Sequence, residues 1–355
     1  MMHRISISLV ILTAICQSHY LIAGSGKSIS SNLIAGSGKS ISSSSAFVSQ
    51  SISNPIVLAE DLVVPRMPLS NSTKDFIDIN GQEIEIVTAF DKTFDQRFTI
   101  TSRDNVNLKL NGIKSVLGWK SRTVHGSGKH AILFLSGNGY GFEYSVNVAN
   151  ALPNAFESND MESYTVSYLG QGSEGGVERT ERKQTIVVQE MLRKMVRDGY
   201  QMDQITILAH SIGGYLGGLA LSNSEFDKVG IVSLGSPNSI GATISNLIFL
   251  PFMTGYMKRK INWHGSAVDG YNRSKFRIAL AAEKDSLVKY KASIAYQLEE
   301  NKKGIVAGAS HNSCLDIRCK MNYLSEELEL NLDTKVVVNN AENTLKTVIL
   351  QVVNR

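Results

Sequence analysis

Ser211 has the sequence surroundings of a nucleophilic serine. It follows the apolar run 205–208, lies between the small residues Ala209 and Gly213, and precedes an apolar stretch of helical character. A strand, a tight turn with small residues around a serine, and a helix form a nucleophile elbow, which exposes the hydroxyl above a helix N-terminus. The pattern is short, and a Gly/Ser loop between two core elements would also satisfy it. The interpretation therefore depends on finding a base and an acid elsewhere in the chain.

Two candidate partners lie downstream, each just past a predicted buried strand. Asp285 follows the apolar run 276–282, and His311 follows the apolar run 304–310. A serine nucleophile needs a base to accept its proton and a carboxylate to orient that base. Because ligands bind at the carboxyl ends of strands in open α/β sheets, both residues are expected at the sheet edge that carries the serine. We predict Ser211 as nucleophile, His311 as general base and then acid, and Asp285 as orienting carboxylate.

Each partner has an alternative interpretation. Asp285 would also suit the N-cap of a following helix, and Glu283 is a competing acid two residues away. His311 would also fit a histidine in a surface loop. His210 is adjacent to the serine, but neighbouring side chains diverge on a turn. We therefore expect His210 to pack behind the site rather than act as the base.

Glycines follow an earlier apolar run, and they predict the second half of an oxyanion hole. The run 131–135 leads into Ser136, Gly137 and Asn138, where glycine lets the backbone approach a ligand closely. An oxyanion hole takes one backbone N–H after the nucleophile and one from such a loop. The expected donors are Ile212 and Asn138, although the glycines would also be explained by a flexible turn.

With these motifs, the region from about residue 95 to 355 resembles the α/β-hydrolase superfamily. Members commonly carry a His-Gly pair in the oxyanion loop, and this chain has Ser136-Gly137 instead. The resemblance implies an α/β fold with a mostly parallel central sheet, helices on both faces and a cap or lid insertion. The expected elements are a hairpin of 97–101 and 106–110, strands at 131–135, 164–169, 205–208, 229–234, 276–282 and 304–310, and helices at 144–152, 182–198, 212–221 and 334–353.

The predicted cap insertion covers about residues 238–274. Its apolar part, 244–257, is followed by the basic triplet 258–260. Pro251 interrupts this part, which is shorter than the roughly 20 apolar residues that a membrane-spanning helix needs. It would form either a lid in transient contact with a membrane surface or a buried wall of an acyl pocket. Both interpretations indicate a substrate with an apolar part.

The amino-terminal region has a different character. Residues 1–18 combine a short basic start with an apolar segment, which predicts a signal peptide and export to a secreted or periplasmic location. A packed or disordered amino-terminal helix in a cytoplasmic protein is the alternative. Residues 19–70 contain a ten-residue direct repeat, 21–30 and 33–42, and predict a flexible linker before a domain at 71–355. The Gly-Lys-Ser in each repeat lacks the earlier glycine of a phosphate-binding loop.

Composition and cysteine content narrow the function further. The chain has 355 residues, 43% of them hydrophobic, and a formal net charge of +4, which does not indicate nucleic-acid binding. After loss of Cys16 with the signal, Cys314 and Cys319 would remain as an even pair near His311. They would form either a disulfide or two reduced thiols, and too few ligands lie nearby to indicate zinc.

Together the motifs and the resemblance imply a serine hydrolase of the esterase or lipase type. Its substrate would be a small-molecule or lipid ester, cleaved through an acyl-enzyme without a metal or organic cofactor. Acyl transfer or thioester hydrolysis would use the same residues. A catalytically silent binding protein on the same fold is the alternative from another class.

Overall fold

The computed structural model describes residues 129–138, 161–169, 180–247 and 263–312, several short strands outside these ranges, and the five residues 145, 148, 149, 152 and 153. The predicted signal peptide, the linker, residues 248–262 of the cap and both downstream cysteines lie outside the described residues. Two separate hairpins are present, β1 (Asp75–Ile79) with β2 (Gln82–Ile86) and β12 (Glu327–Asn331) with β13 (Thr334–Val337).

Nine of the described strands build one large sheet. In chain order its strands are β3 (Arg97–Thr101), β4 (Ser115–Lys120), β5 (His130–Leu135), β6 (Met161–Val166), β7 (Ile205–His210), β8 (Gly230–Leu234), β9 (Arg277–Ala282), β10 (Lys303–Val306) and β11 (Met321–Asn322). In space the order is β11-β10-β9-β8-β7-β5-β6-β4-β3. The pairs from β6 through β10 are parallel, whereas β4, β3 and β11 are added antiparallel at the two ends.

The central strands have no solvent-facing side. Every residue of β6, β7 and β8 is buried, as is all of β5 after His130. Strands covered on both faces read as near-continuous apolar runs, as β5 does, whereas β6 also buries the polar residues Glu162, Ser163 and Thr165. Five helices are described: α1 (Glu181–Arg197), α2 (Ile212–Leu221), α3 (Ile240–Leu247), α4 (Val268–Arg273) and α5 (Ile294–Gln297).

Helices α1 and α2 agree with the sequence prediction because their ends are set by local signals. The Thr180 hydroxyl accepts the N–H of Lys183 at 3.3 Å and caps α1, and Gly199 ends it with a positive φ of 107°. α2 begins directly after Ser211 and contacts α1, α4 and strands β5, β7 and β8. This helix is therefore fixed to the middle of the sheet.

β6 lies three residues before the predicted 164–169, and β10 ends at Val306 and not at 310. Three larger expectations also need correction. β3 pairs with Ser115–Lys120, not with 106–110, which lies outside the described residues. Pro153, expected to stop a helix, is itself helical. The predicted closing helix 334–353 begins instead with β13, because the alternating residues 327–331 offer an antiparallel partner to 334–337, three of which are β-branched. The rest of that predicted helix lies outside the described residues.

Candidate active site

Ser211 occupies a backbone conformation that L-residues rarely adopt. Its φ is 52° and its ψ is −123°, and it is the one non-glycine residue with positive φ in the described part of the chain. The turn is held by the Ser211 N–H, which donates to the Leu234 carbonyl at 2.9 Å, and by the Gly214 N–H, which donates to the Ser211 carbonyl at 3.0 Å. Ser211 therefore lies at the carboxyl end of β7, directly before the first turn of α2.

The turn requires a glycine on its helical side. A Cβ at Gly213 would lie 2.3 Å from the Leu135 carbonyl oxygen and 2.8 Å from that of Ser136. Both obstacles are backbone atoms of the neighbouring loop and have little freedom to move. Ala209, on the strand side, is fully buried. The sequence requirement for small residues around the serine thus has a steric cause.

The structure brings the three predicted residues into one hydrogen-bonded chain. His311 Nε2 lies 2.9 Å from Ser211 Oγ, and His311 Nδ1 lies 2.7 Å from Asp285 Oδ2. A carboxylate can only accept, so the Nδ1–H donates to Asp285 and leaves Nε2 to accept the serine proton. The Asp285 side chain is 1% exposed and that of His311 is 10% exposed.

Asp285 is held by its other oxygen. Its Oδ1 accepts the N–H groups of Leu287 at 2.9 Å and Val288 at 2.8 Å. This is the cap-like geometry of the alternative interpretation, and it coexists with the contact to His311. The competing acid, Glu283, accepts the Gly308 N–H at 2.6 Å instead. Glu283 therefore braces the loop before His311, while Asp285 contacts the imidazole.

His210 lies behind the site, as its position in the turn suggested. It is 1% exposed, and its Nε2 lies 2.8 Å from the main-chain carbonyl oxygen of His311. Burial above all, and then the nearby His311, lower the pKa of His210 from 6.5 to about 3. The ring is consequently neutral at ordinary pH.

The loop after β5 lies against the elbow. A Cβ at Gly137 would be 2.7 Å from His210 Nδ1 and 3.1 Å from Ser211 Cβ. Asn138, the predicted donor, is exposed in the turn that follows, and Ile212 is the first residue of α2. The first N–H groups of a helix have no acceptor within it, so that of Ile212 suits an external oxyanion. The roles of both N–H groups remain predictions.

Two residues that brace this loop were missed in the sequence. The buried Tyr168 hydroxyl donates to the Ser136 carbonyl at 2.9 Å, and the Ser145 hydroxyl donates to Ser136 Oγ at 2.8 Å. Tyr168 lies two residues past the carboxyl end of β6, whereas the sequence predicted it to lie within a strand, and no other signal would have singled it out. Burial raises the pKa of Tyr168 far above its usual value, so its hydroxyl stays a donor.

The cysteine pair and part of the cap were also predicted from the sequence. Cys314 and Cys319 lie outside the described residues, as does the apolar part of the cap beyond residue 247. Within the described ranges, no group of His, Cys, Asp or Glu side chains is arranged to hold a metal ion. None of the described helices combines the length and apolar character that a membrane crossing needs.

Comparison with known proteins gives similarity in structure alone. No protein-family model and no curated protein sequence matches the chain. Solved structures that resemble it include Est1E from Butyrivibrio proteoclasticus (14% identity, 62% of this chain and 92% of that one, TM-score 0.47). Another is EstE1, a thermophilic carboxylesterase from a metagenomic library (16% identity, 61% of this chain and 79% of that one, TM-score 0.40). A third is the acylaminoacyl peptidase of Pyrococcus horikoshii (16% identity, 62% of this chain and only 38% of that one, TM-score 0.43).

These similarities are too distant to carry an argument about activity. The fold assignment rests on the molecule itself: a parallel sheet in which β5 lies between β6 and β7, antiparallel strands at its ends, and a serine elbow between β7 and α2. This is the α/β-hydrolase fold, as the sequence resemblance implied.

Proposed function

We propose that this protein is a serine hydrolase that cleaves a carboxylic ester through Ser211, His311 and Asp285. The observation that carries the proposal is the 2.9 Å separation of Ser211 Oγ and His311 Nε2 in a chain that continues at 2.7 Å to Asp285. These are hydrogen-bonding distances from nucleophile to base and from base to orienting acid.

The reaction follows from the direction of these bonds. His311 Nε2 accepts the Ser211 proton as Oγ attacks the acyl carbonyl, and Asp285 stabilises the imidazolium that forms. The N–H groups of Ile212 and Asn138 would hold the oxyanion. His311 then protonates the leaving alcohol, and water, activated by the same imidazole, releases the acid from the acyl-enzyme.

The strained backbone at Ser211 supports catalysis over a silent binding role. A non-glycine residue in such a conformation costs about 1–3 kcal/mol and persists only when the surrounding structure enforces it. Here it aims a hydroxyl at an imidazole that is 10% exposed and within reach of solvent. A reacting serine needs both features, and a binding role alone requires neither.

The finer parts of the proposal come from the sequence. The apolar run 244–257 supports an acyl group of apolar character, and the adjoining basic residues 258–260 would allow transient contact with a membrane surface. The amino-terminal segment supports export. Replacing water by an alcohol or thiol in the second step would turn the same machinery to acyl transfer.

Covalent labelling with a fluorophosphonate tests the proposal. The full-length wild type should label at Ser211 and hydrolyse p-nitrophenyl esters, and Ser211→Ala should lose labelling and lower kcat on the order of 10⁶-fold. Ser224→Ala, at an exposed serine, is the matched control and should label like the wild type. A graded series of acyl lengths, with phospholipid and triglyceride, then defines the substrate. Folded wild type that neither labels nor hydrolyses any ester contradicts the proposal.

A further inference from the structure

The residue before the nucleophile also contacts the base. His210 and Ser211 are consecutive at the end of β7, and both reach His311. We infer that His210 is a positioning residue, whose imidazole N–H fixes the main chain of His311 and thereby the distance from its ring to Ser211. This inference rests on the proposed hydrolase function and deepens it.

The two contacts hold His311 from two sides. His210 Nε2 lies 2.8 Å from the His311 carbonyl oxygen, and Ser211 Oγ lies 2.9 Å from the His311 ring. The main chain and the side chain of His311 are therefore both hydrogen-bonded to the same dipeptide, His210-Ser211. Because that dipeptide belongs to the strained elbow, its own position is fixed by β7, β8 and α2.

The bond also defines the chemical state of His210. A carbonyl oxygen only accepts, so Nε2 must carry the proton. The two imidazole rings lie 4.9 Å apart between centroids. A charge on His210 would oppose the imidazolium that forms on His311 during the reaction, whereas a neutral donor ring does not.

Other bonds set the distance of the base from the acid. The Lys284 N–H donates to the Ala309 carbonyl at 2.8 Å, and the Gly308 N–H donates to Glu283 at 2.6 Å. Both join the histidine loop to the loop of Asp285. His210 supplies the corresponding hydrogen bond on the side of the nucleophile. The histidine loop is therefore bonded both to the Asp285 loop and to the elbow.

Two substitutions separate the hydrogen bond from packing. His210→Leu removes the donor and keeps an apolar side chain, whereas His210→Gln keeps an N–H at a similar reach. We expect His210→Leu to lower kcat on the order of 10²-fold, because displacing a reacting group by about an ångström has that effect. KM should be unchanged, since His210 is buried and 1% exposed, and His210→Gln should restore most of the activity. His264→Leu, at an exposed histidine, is the matched control and should behave like the wild type.

The outcomes distinguish this inference from the proposed function. If wild-type activity does not depend on Ser211, the hydrolase proposal fails. If it does, and His210→Leu keeps full kcat or is no worse than His210→Gln, the positioning role is overturned. Should His210→Leu not fold, ¹⁵N-histidine NMR of the wild type decides, with the His210 signals assigned by their loss in His210→Gln. A neutral Nε2–H tautomer supports the inference, and an Nδ1–H tautomer overturns it, since Nε2 could then not donate.

Discussion

The elbow and the two loops that carry the acid and the base are held in different ways. At the elbow, contacts between backbone atoms leave no room: a Cβ on Gly213 would lie 2.3 Å from a carbonyl oxygen. The Asp285 and His311 loops are held by hydrogen bonds between side chains and main-chain groups, local ones at Asp285 and long-range ones at Glu283 and His210. Close backbone packing therefore fixes the elbow in addition to its backbone hydrogen bonds, whereas the two loops depend on polar pairing.

This difference predicts different consequences of substitution. A steric conflict at the elbow forces strands and a helix apart, so the fold should be lost together with activity. A typical hydrogen bond contributes only about 0.5–1.5 kcal/mol to stability, so a loop can lose one and remain folded. Catalysis depends on the orientation of a few atoms and should be lost first there.

Between the elbow glycine and the loops, the largest expected effect is on activity, in the acid loop. Asp285→Asn should lower kcat on the order of 10⁴-fold, because an amide can present a donor to Nδ1 and favour the wrong tautomer of His311. The buried site keeps nearly the same shape, so the fold should remain. Ester hydrolysis at saturating substrate and the thermal unfolding midpoint are the two measurements.

Glu283→Gln is the control for that substitution. Its amide oxygen can still accept the Gly308 N–H, and the side chain does not contact the imidazole. Activity should stay close to that of the wild type. Greater damage from Glu283→Gln than from Asp285→Asn would show that the acid has been assigned to the wrong residue.

The second effect is on stability, at the elbow. Gly213→Ala should lower the free energy of unfolding by about 3 kcal/mol or more, because the new methyl group meets rigid backbone atoms. Urea unfolding measures it. In the same helix, Gly217→Ala would meet only side-chain atoms, the nearest being Ile231 Cδ1 at 3.1 Å, and alanine favours the helix by up to about 1 kcal/mol. Equal losses in both variants would show that shape at the elbow is not the determinant.

Most features that depend on local sequence were predicted correctly, and most contacts between distant segments were not. The elbow, α1 and α2 follow from local signals: small residues around Ser211, a threonine cap and a glycine stop. The predicted buried strands were found because apolar runs covered on both faces stand out, although β6 begins and ends three residues earlier than expected. Asp285 and His311 were selected by their place after such strands.

What the sequence could not supply are contacts between distant segments. The partner of β3 depends on pairing across the sheet, and β13 forms because β12 offers a hydrogen-bonding edge. The carbonyl acceptors of His210 and Tyr168 are main-chain atoms more than thirty residues away, and no residue type identifies them. The spacing of apolar residues predicted a helix from residue 334, where the structure has β13. Periodicity within one segment does not show whether another strand is available to pair with it.

The third prediction concerns pH and uses His210, which joins the two regions. Its pKa is about 3 in the folded protein and near 6.5 in the unfolded chain, so the unfolded chain binds more protons between these values. Stability from this group is present above pH 6.5 and falls as the pH drops toward 3, by up to about 1.4 kcal/mol per pH unit.

His210→Gln removes this titration and should flatten the dependence of unfolding free energy on pH in that window. His311, whose ring faces His210, and Asp285 beyond it are retained in both proteins, so their contributions are common to both curves. Urea unfolding at a series of pH values gives the comparison. Parallel curves for the two proteins would mean that His210 is not held neutral by burial.

The smallest expected effect concerns the oxyanion loop. It tests whether this loop is held mainly by close packing, as the elbow is, or by hydrogen bonds, as the Asp285 and His311 loops are. Tyr168→Phe removes the hydroxyl that donates to the Ser136 carbonyl but keeps the buried ring. Loss of this neutral bond should cost about 1 kcal/mol of stability. Gly137 still packs closely against His210 and Ser211 in this variant. We therefore expect kcat to fall only modestly and KM to stay the same. Hydrolysis of a p-nitrophenyl ester and urea unfolding are measured together. A loss of kcat as large as that of Asp285→Asn would mean that the loop is held by its hydrogen bond and not by contact with the elbow.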